Sequence, residues 1–227
     1  MQKNFQRRIV KTDDGSHTLE LVGMDEHYHS TFGAVQESRH VFIQHGLLAL
    51  SGKNAVVNIL EIGFGTGLNA LLTLLEAEKA KQQVVYHALE PFPLQREEYE
   101  LLNYPALMKK EGLQQTFINF HESEWDNDIE ISPGFTLRKK SSGLGEANLP
   151  ANFFHLVYFD AFGPDTQPEL WTQPMFEKLF LAMTAGGILT TYCAKGSVRR
   201  AMKASGLAVE KLPGPPGKRE MTRAVKR

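Results

Sequence analysis

Three glycines in G-x-G-x-G spacing, Gly63, Gly65 and Gly67, follow Glu61 within the segment Asn58–Ala70, NILEIGFGTGLNA. Glycines so placed let the backbone turn tightly and approach a bound molecule closely. The dinucleotide fingerprint is G-x-G-x-x-G, and here Leu68 holds the place of its last glycine. Glu61, two residues ahead of Gly63, would repel a pyrophosphate but accept hydrogen bonds from a cationic amino-acid group. This combination favours S-adenosylmethionine, which carries a sulfonium, an ammonium and no phosphate; a purely structural turn is the alternative. A second acid, Glu90, ends the apolar run Val84–Leu89. A carboxylate at the tip of a second strand can accept two hydrogen bonds from a ribose diol, although a solvated turn residue looks the same in sequence. A third, Asp160, ends the run Phe153–Phe159 and opens the turn AFGPDTQP.

These acids need a scaffold that brings strand ends together. Val56, Val57, Ile59, Leu60 and Ile62 form a short apolar run suited to a strand buried on both faces, and Leu68 to Ala80 continues as a helix. Further helices are expected over Gln36 to Leu50, Leu94 to Leu102 and Pro174 to Thr184, the last broken by Ala185-Gly186-Gly187. Phe117–Phe120 and Phe135–Lys139 read as short strands, SSGLGEANLP as a loop, and Ile188–Tyr192 as a further strand. Leu207–Leu212 and Glu220–Val225, joined through GPPGK, read as a closing hairpin. Strands alternating with helices predict an α/β fold with a mostly parallel sheet covered on both faces, and ligands at the carboxyl ends of its strands. That edge would gather Gly63–Gly67, Glu90, Asp160–Pro164 and Tyr192–Lys195. Residues 1–50 are expected to be an accessory segment packing on a core of residues 51–227, one structural domain overall.

Composition excludes several classes. The chain has 227 residues, 42% of them hydrophobic, and one cysteine, Cys193, so no intrachain disulfide and no cysteine-based metal cluster can form. His27 and His29 are the only closely spaced histidines, and no metal site is expected. No apolar run reaches the roughly 20 residues of a membrane span, and MQKNFQRRIV lacks the apolar core of a secretory signal, so a soluble cytoplasmic protein is expected. The net charge of −1 conceals an asymmetry: residues 195–227 hold ten Lys or Arg against Glu210 and Glu220. Such a basic end fits a polyanionic partner and equally a solvated charged face.

The segments YHSTFGAVQESRHVF, EIGFGTGLNALLTL, LEPFPL, YFDAFGPDTQPELWTQPMF, KGSVRRAMKASG and GKREM span nearly the whole chain. Together they resemble the methyltransferase domain of the tRNA 5-methylaminomethyl-2-thiouridine biosynthesis proteins. The glycine loop is common to methyltransferases, whereas DAFGPDTQPELW with GKREM is far more specific. The resemblance implies a Rossmann-like fold that uses S-adenosylmethionine to methylate the primary amine of 5-aminomethyl-2-thiouridine at the tRNA wobble position. It further implies a stand-alone form without the FAD-dependent oxidoreductase domain of some relatives, so that FAD is not expected and a separate oxidoreductase or other enzyme supplies the amine.

Under this resemblance Glu61, Gly63, Gly65, Gly67 and Glu90 bind the cofactor, while Tyr28, Ser30 and Glu37 close over its methionine end. Asp160 orients the acceptor amine or takes its proton, with a turn-capping role as the alternative. Phe162 and Trp171 are candidates to stack on uracil or adenine, or to pack in the core, and Pro164 belongs to the same acceptor turn. Lys195, Arg199, Arg200, Lys218 and Arg219 are expected on tRNA phosphates. Relatives often carry an acid after the third strand; this chain reads KKSSGLGE there. Glu146 or a backbone group is available, and the adenine-edge contact stays unassigned. Two rival functions are a methyltransferase for a small-molecule or protein amine, and a non-catalytic RNA-binding module on a degenerate nucleotide fold.

Overall fold

The computed structural model describes residues 6–50 and 54–227. The ends of the expected 1–50 and 51–227 segments therefore lie partly outside the described residues. The chain opens with β1 (Arg7–Lys11), β2 (His17–Leu21) and β3 (Glu26–His27), a small antiparallel sheet that the sequence reading did not foresee. Next come α1 (Ala34–Ser38), a π-helical stretch Arg39–Gln44 and a 3-10 turn Leu47–Leu50, in place of one continuous helix from Gln36.

The central sheet contains β4 (Val56–Ile62), β5 (Gln83–Leu89), β6 (Ile129–Ser132), β7 (Phe135–Lys140), β8 (Phe154–Phe159), β9 (Met183–Thr191), β10 (Ala208–Pro213) and β11 (Glu220–Val225). Its order is β10-β11-β9-β8-β4-β5-β7-β6. The inner strands β7, β5, β4, β8 and β9 pair in parallel, while β6, β11 and β10 are antiparallel. The helices are α2 (Leu68–Ala80), α3 (Arg96–Tyr99), α4 (Tyr104–Met108), α5 (Leu113–Glu122), α6 (Gln173–Ala182) and α7 (Gly196–Ala204). This is the expected Rossmann-like arrangement, with a mostly parallel sheet, helices on both faces and an antiparallel C-terminal hairpin.

Period-2 alternation along the strands divides the core into two apolar layers. Ile59 of β4 packs with α2, α5 and the amino-terminal segment, through residues such as Leu71, Phe117 and Phe42. Leu60 and Ile62 face the other layer, with Phe176 and Leu179 of α6 and Met202 of α7.

Three local expectations are corrected. Phe117–Phe120 is not a strand: it lies in α5, where Leu113, Phe117 and Phe120 are buried at i, i+4 and i+7, a helical stripe. The helix expected over Leu94 to Leu102 is one turn, α3, closed at its start by a reciprocal Gln95–Glu98 capping box. Ala185-Gly186-Gly187 does not break a helix. α6 already ends at Ala182, and these residues form an irregularity within β9, where pairing with β8 jumps from Phe154–Met183 to Leu156–Ile188.

Candidate active site

Because β4, β5, β7, β8 and β9 run in parallel, their carboxyl ends share one edge, and a cavity of about 330 Å³ lies along it. Gly143 and Leu144 line the β7 end, Glu90 the β5 end, Gly63 and Gly65 the β4 end, and Asp160 the β8 end. Tyr192 and Lys218 bound the side of β9 and the hairpin, and residues 25–32 with Glu37 form the roof.

The glycine turn is shaped by contacts that a side chain would fill. At Gly63 (φ +90°) a Cβ would lie 2.8 Å from the Asp160 carbonyl oxygen, and at Gly65 (φ +48°) 3.0 Å from the Tyr28 ring. Gly67 caps α2 and does not line the cavity; its neighbours are His121 and Phe64. Glu90 fastens the turn: its Oε2 accepts from the Gly65 N–H at 2.9 Å and its Oε1 from the Phe92 N–H at 2.8 Å. Burial raises its pKa and the two amide bonds oppose that rise. Each carboxylate oxygen keeps a further lone pair for a vicinal diol.

Glu61 requires a correction. It is fully buried and does not line the cavity, so it does not meet an amino-acid group there. Alternation places it on the face of β4 shared with Ile59, beneath α2, where Asn69 Nδ2 donates to its Oε1 at 2.9 Å. The same Nδ2 donates to Asp160 Oδ2 at 2.8 Å, so one carboxamide joins both acids. Burial, and then Asp160, push the Glu61 pKa well above the carboxylate range. Asp160 reaches the cavity itself, and burial with a lesser push from Glu37 raises its pKa to about 7, against the Asn69 bond and Lys218.

Tyr28, Ser30 and Glu37 all line the cavity. Arg7 Nε donates to the Tyr28 hydroxyl at 2.8 Å, and the Tyr28 ring meets Phe162 edge-on at 5.1 Å. The Ser30 N–H donates to Glu37 Oε2 at 2.8 Å, and Lys218 Nζ donates to Glu37 Oε1. Phe162 lines the cavity with its main chain held on both sides: its N–H donates to Gln167 Oε1 at 2.9 Å, and its carbonyl accepts from Trp171 Nε1 at 2.8 Å. Sequence reasoning missed His29, whose Nε2 lies 2.6 Å from Thr66 Oγ1 in the glycine turn. Burial lowers its pKa to about 4, which keeps it neutral. Its pairing with His27 drew notice only as a metal motif, and no metal-holding group occurs among the described residues.

Several expected substrate contacts are also corrected. Trp171 is buried, with its ring 4.7 Å from Phe159, so it packs in the core and offers no face to a base. Pro164 is half-buried and does not line the cavity. Arg199 is buried and donates to Thr222 Oγ1 at 3.0 Å, to the Met221 carbonyl at 3.0 Å and to Glu220, so it is not available to a phosphate. Lys218 turns into the cavity, 4.1 Å from the Tyr192 ring centre, rather than outward. Lys195 pairs with Asp165, and Arg200 and Arg219 are exposed. Glu146 is exposed and off the cavity, whereas Gly143 and Leu144 line it.

Among the described lining residues stand five carboxylates, Asp25, Glu26, Glu37, Glu90 and Asp160, and one ammonium, Lys218. An acidic cavity beside a glycine cradle suits a cationic nucleoside and disfavours a pyrophosphate. Residues 141–227 match the model of a family described as S-adenosyl-L-methionine-dependent methyltransferase. The fold and the cradle agree with an S-adenosyl-L-methionine-dependent methyltransferase, the description that the match gives for this part of the chain.

Within that class it is similar to the tRNA 5-methylaminomethyl-2-thiouridine biosynthesis bifunctional protein MnmC of Leptospira interrogans, at 32% identity over 87% of this chain and 32% of that protein. The corresponding protein of Idiomarina loihiensis is 31% identical over 87% of this chain and 35% of its own length. The chain thus spans about a third of these curated relatives. The crystal structure of MnmC2 from Aquifex aeolicus superimposes with a TM-score of 0.79 at 25% identity, covering 99% of this chain and 71% of that one.

Proposed function

We propose that this chain transfers a methyl group from S-adenosyl-L-methionine to the aminomethyl nitrogen of 5-aminomethyl-2-thiouridine at the wobble position of tRNA. The observation that carries the reading is Asp160, a cavity carboxylate fixed by Asn69 on the same sheet edge as Glu90 and two strands from it. The similarity to the tRNA-modifying proteins supplies the acceptor's identity.

In this reading Glu90 accepts hydrogen bonds from the ribose diol and Gly63 and Gly65 let the chain lie against the nucleoside. Tyr28, Ser30 and Glu37 roof the methionine end. The bound cofactor supplies a methyl group on a positively charged sulfur. Asp160 accepts a hydrogen bond from the acceptor amine, which aims the nitrogen lone pair at the methyl carbon. The nitrogen that gains the methyl group would become cationic, and the Asp160 carboxylate would receive its proton. Positioning of this kind accounts for much of the rate in a two-substrate transfer. Residues 25–32 and Glu37, from the amino-terminal accessory segment, roof the catalytic site.

Arg200 and Arg219, with Lys195, form the outward basic face toward tRNA, and the activity belongs to the cytoplasm. An FAD-dependent oxidoreductase activity, or another enzyme activity, supplies the amine. The test is transfer of labelled methyl groups to tRNA from cells lacking this last methylation, followed by nucleoside analysis. No label in the wobble nucleoside would refute the reading.

A further inference from the structure

Phe32 keeps 52% of its surface exposed, although burying a phenyl ring is favourable. Among the described large apolar residues left exposed it is the only aromatic one, and the only one that lines the cavity. Its position is built. The Phe32 N–H donates to Ser30 Oγ at 3.3 Å, the Gly33 N–H to the Ser30 carbonyl at 3.1 Å, and the Asp13 N–H to the Thr31 carbonyl at 2.9 Å. Gly33, at φ +142°, leaves no room for a Cβ beside Asp14. Across the cavity mouth the ring rests on Gly217 in the β10–β11 connection, where any Cβ would collide with it. Lys218, the next residue, ties the same connection to Glu37.

The strand order tells which ligand this ring faces. Neighbouring strand ends are about 4.8 Å apart, and they run β7, β5, β4, β8, β9 and then β11. Glu90 stands on β5, Asp160 two strands further, and the hairpin that supports Phe32 beyond β9. With the cofactor's ribose at Glu90, Phe32 lies past Asp160, on the side from which the methyl acceptor must enter. Single-stranded RNA is held largely by stacking unpaired bases on such exposed rings, each worth about 5–150-fold in affinity.

We propose that Phe32 is the stacking platform for the unpaired nucleobase that carries the acceptor amine. Gly217 supports the ring from behind, and exposed Arg219, two residues on, serves the adjoining phosphate. This assignment rests on the tRNA reading above and goes beyond it by naming the acceptor-base subsite.

Single-turnover methyl transfer to tRNA carrying 5-aminomethyl-2-thiouridine, at varied tRNA concentration, tests it with the full chain and Phe32→Tyr, Phe32→Leu and Phe32→Ala. Phe32→Tyr keeps the ring and should behave like the parent. Phe32→Leu keeps apolar bulk without a π-face, and both it and Phe32→Ala should raise the half-saturating tRNA concentration about 5–150-fold. Cofactor affinity, read by calorimetry, should stay within about twofold of the parent on the same account, since the ring stands off the ribose end. Parent-like saturation by Phe32→Leu would overturn the inference while leaving the function intact, as would a matching loss of cofactor affinity. No transfer by the parent would overturn the functional reading and this inference with it.

Discussion

Asp160 binds its proton near neutrality because burial and Glu37 oppose the charge, and this makes cofactor binding depend on pH. A cationic cofactor favours the ionised carboxylate. Affinity should therefore rise as pH increases toward about 7, by at most about tenfold per pH unit, and level off above it, with proton release on binding below that point. Calorimetry in buffers of different protonation enthalpy measures that release, and Asp160→Asn should abolish it. The same variant should slow single-turnover transfer by about 10²–10⁴-fold; near-normal transfer would reduce Asp160 to a turn residue. Glu90→Ala should weaken cofactor binding by roughly 1.5–3 kcal/mol, because a charged acceptor is lost. Unchanged affinity in the folded variant would remove Glu90 from the site. Both acids were legible as strand-tip residues, but Glu61 was not, since a tip position does not reveal which face of the strand the side chain takes. Pairing Glu61 with Ile59 by alternation points it under α2, toward Asn69.

At the scale of elements, the basic end separates into structural and free cations. Arg199 of α7 fastens that helix to β11 through Thr222 and Met221. Arg199→Ala should therefore lower stability by on the order of 2 kcal/mol, the cost of stranding buried partners, with a corresponding fall in Tm. Arg200→Ala, one residue on and exposed, should leave Tm unchanged and weaken tRNA binding instead. Identical behaviour of the two variants in thermal unfolding would contradict this division. A count of charges along the sequence cannot make it, because burial is decided by which face of α7 meets the sheet. The apolar strands β4, β5, β8 and the helix α2 were readable, since continuous burial leaves a continuous apolar run. The sheet β1–β3 was not: its strands have five, five and two residues and mix polar with apolar side chains. Tyr28 and Ser30 lie in the loop after that sheet and Glu37 in α1, so only resemblance, and no spacing, led to them.

For the whole molecule, buried histidines shape the response to acid: His29 and His121, together with half-buried His87, whose pKa burial lowers to about 4. Burial lowers the pKa of His29 to about 4 and of His121 to about 3, so the folded state holds both neutral. Unfolding lets them bind protons. Stability should thus fall as pH drops from about 6.5, by about 1.4 kcal/mol per pH unit for each histidine, until the folded values are reached. Asp160 acts in the opposite sense: its raised pKa favours the folded state below the ordinary carboxylate value, and that contribution is lost as pH rises to about 7. Chemical unfolding of the cofactor-free protein between pH 4 and 8 measures both contributions. The central claim, however, is the reaction. Labelled S-adenosyl-L-methionine and the protein should be incubated with tRNA bearing 5-aminomethyl-2-thiouridine, and the digested nucleosides separated. One labelled product is expected, 5-methylaminomethyl-2-thiouridine, formed about 10²–10⁴-fold more slowly by Asp160→Asn; label in another nucleoside, or none with active cofactor binding, would contradict the reading.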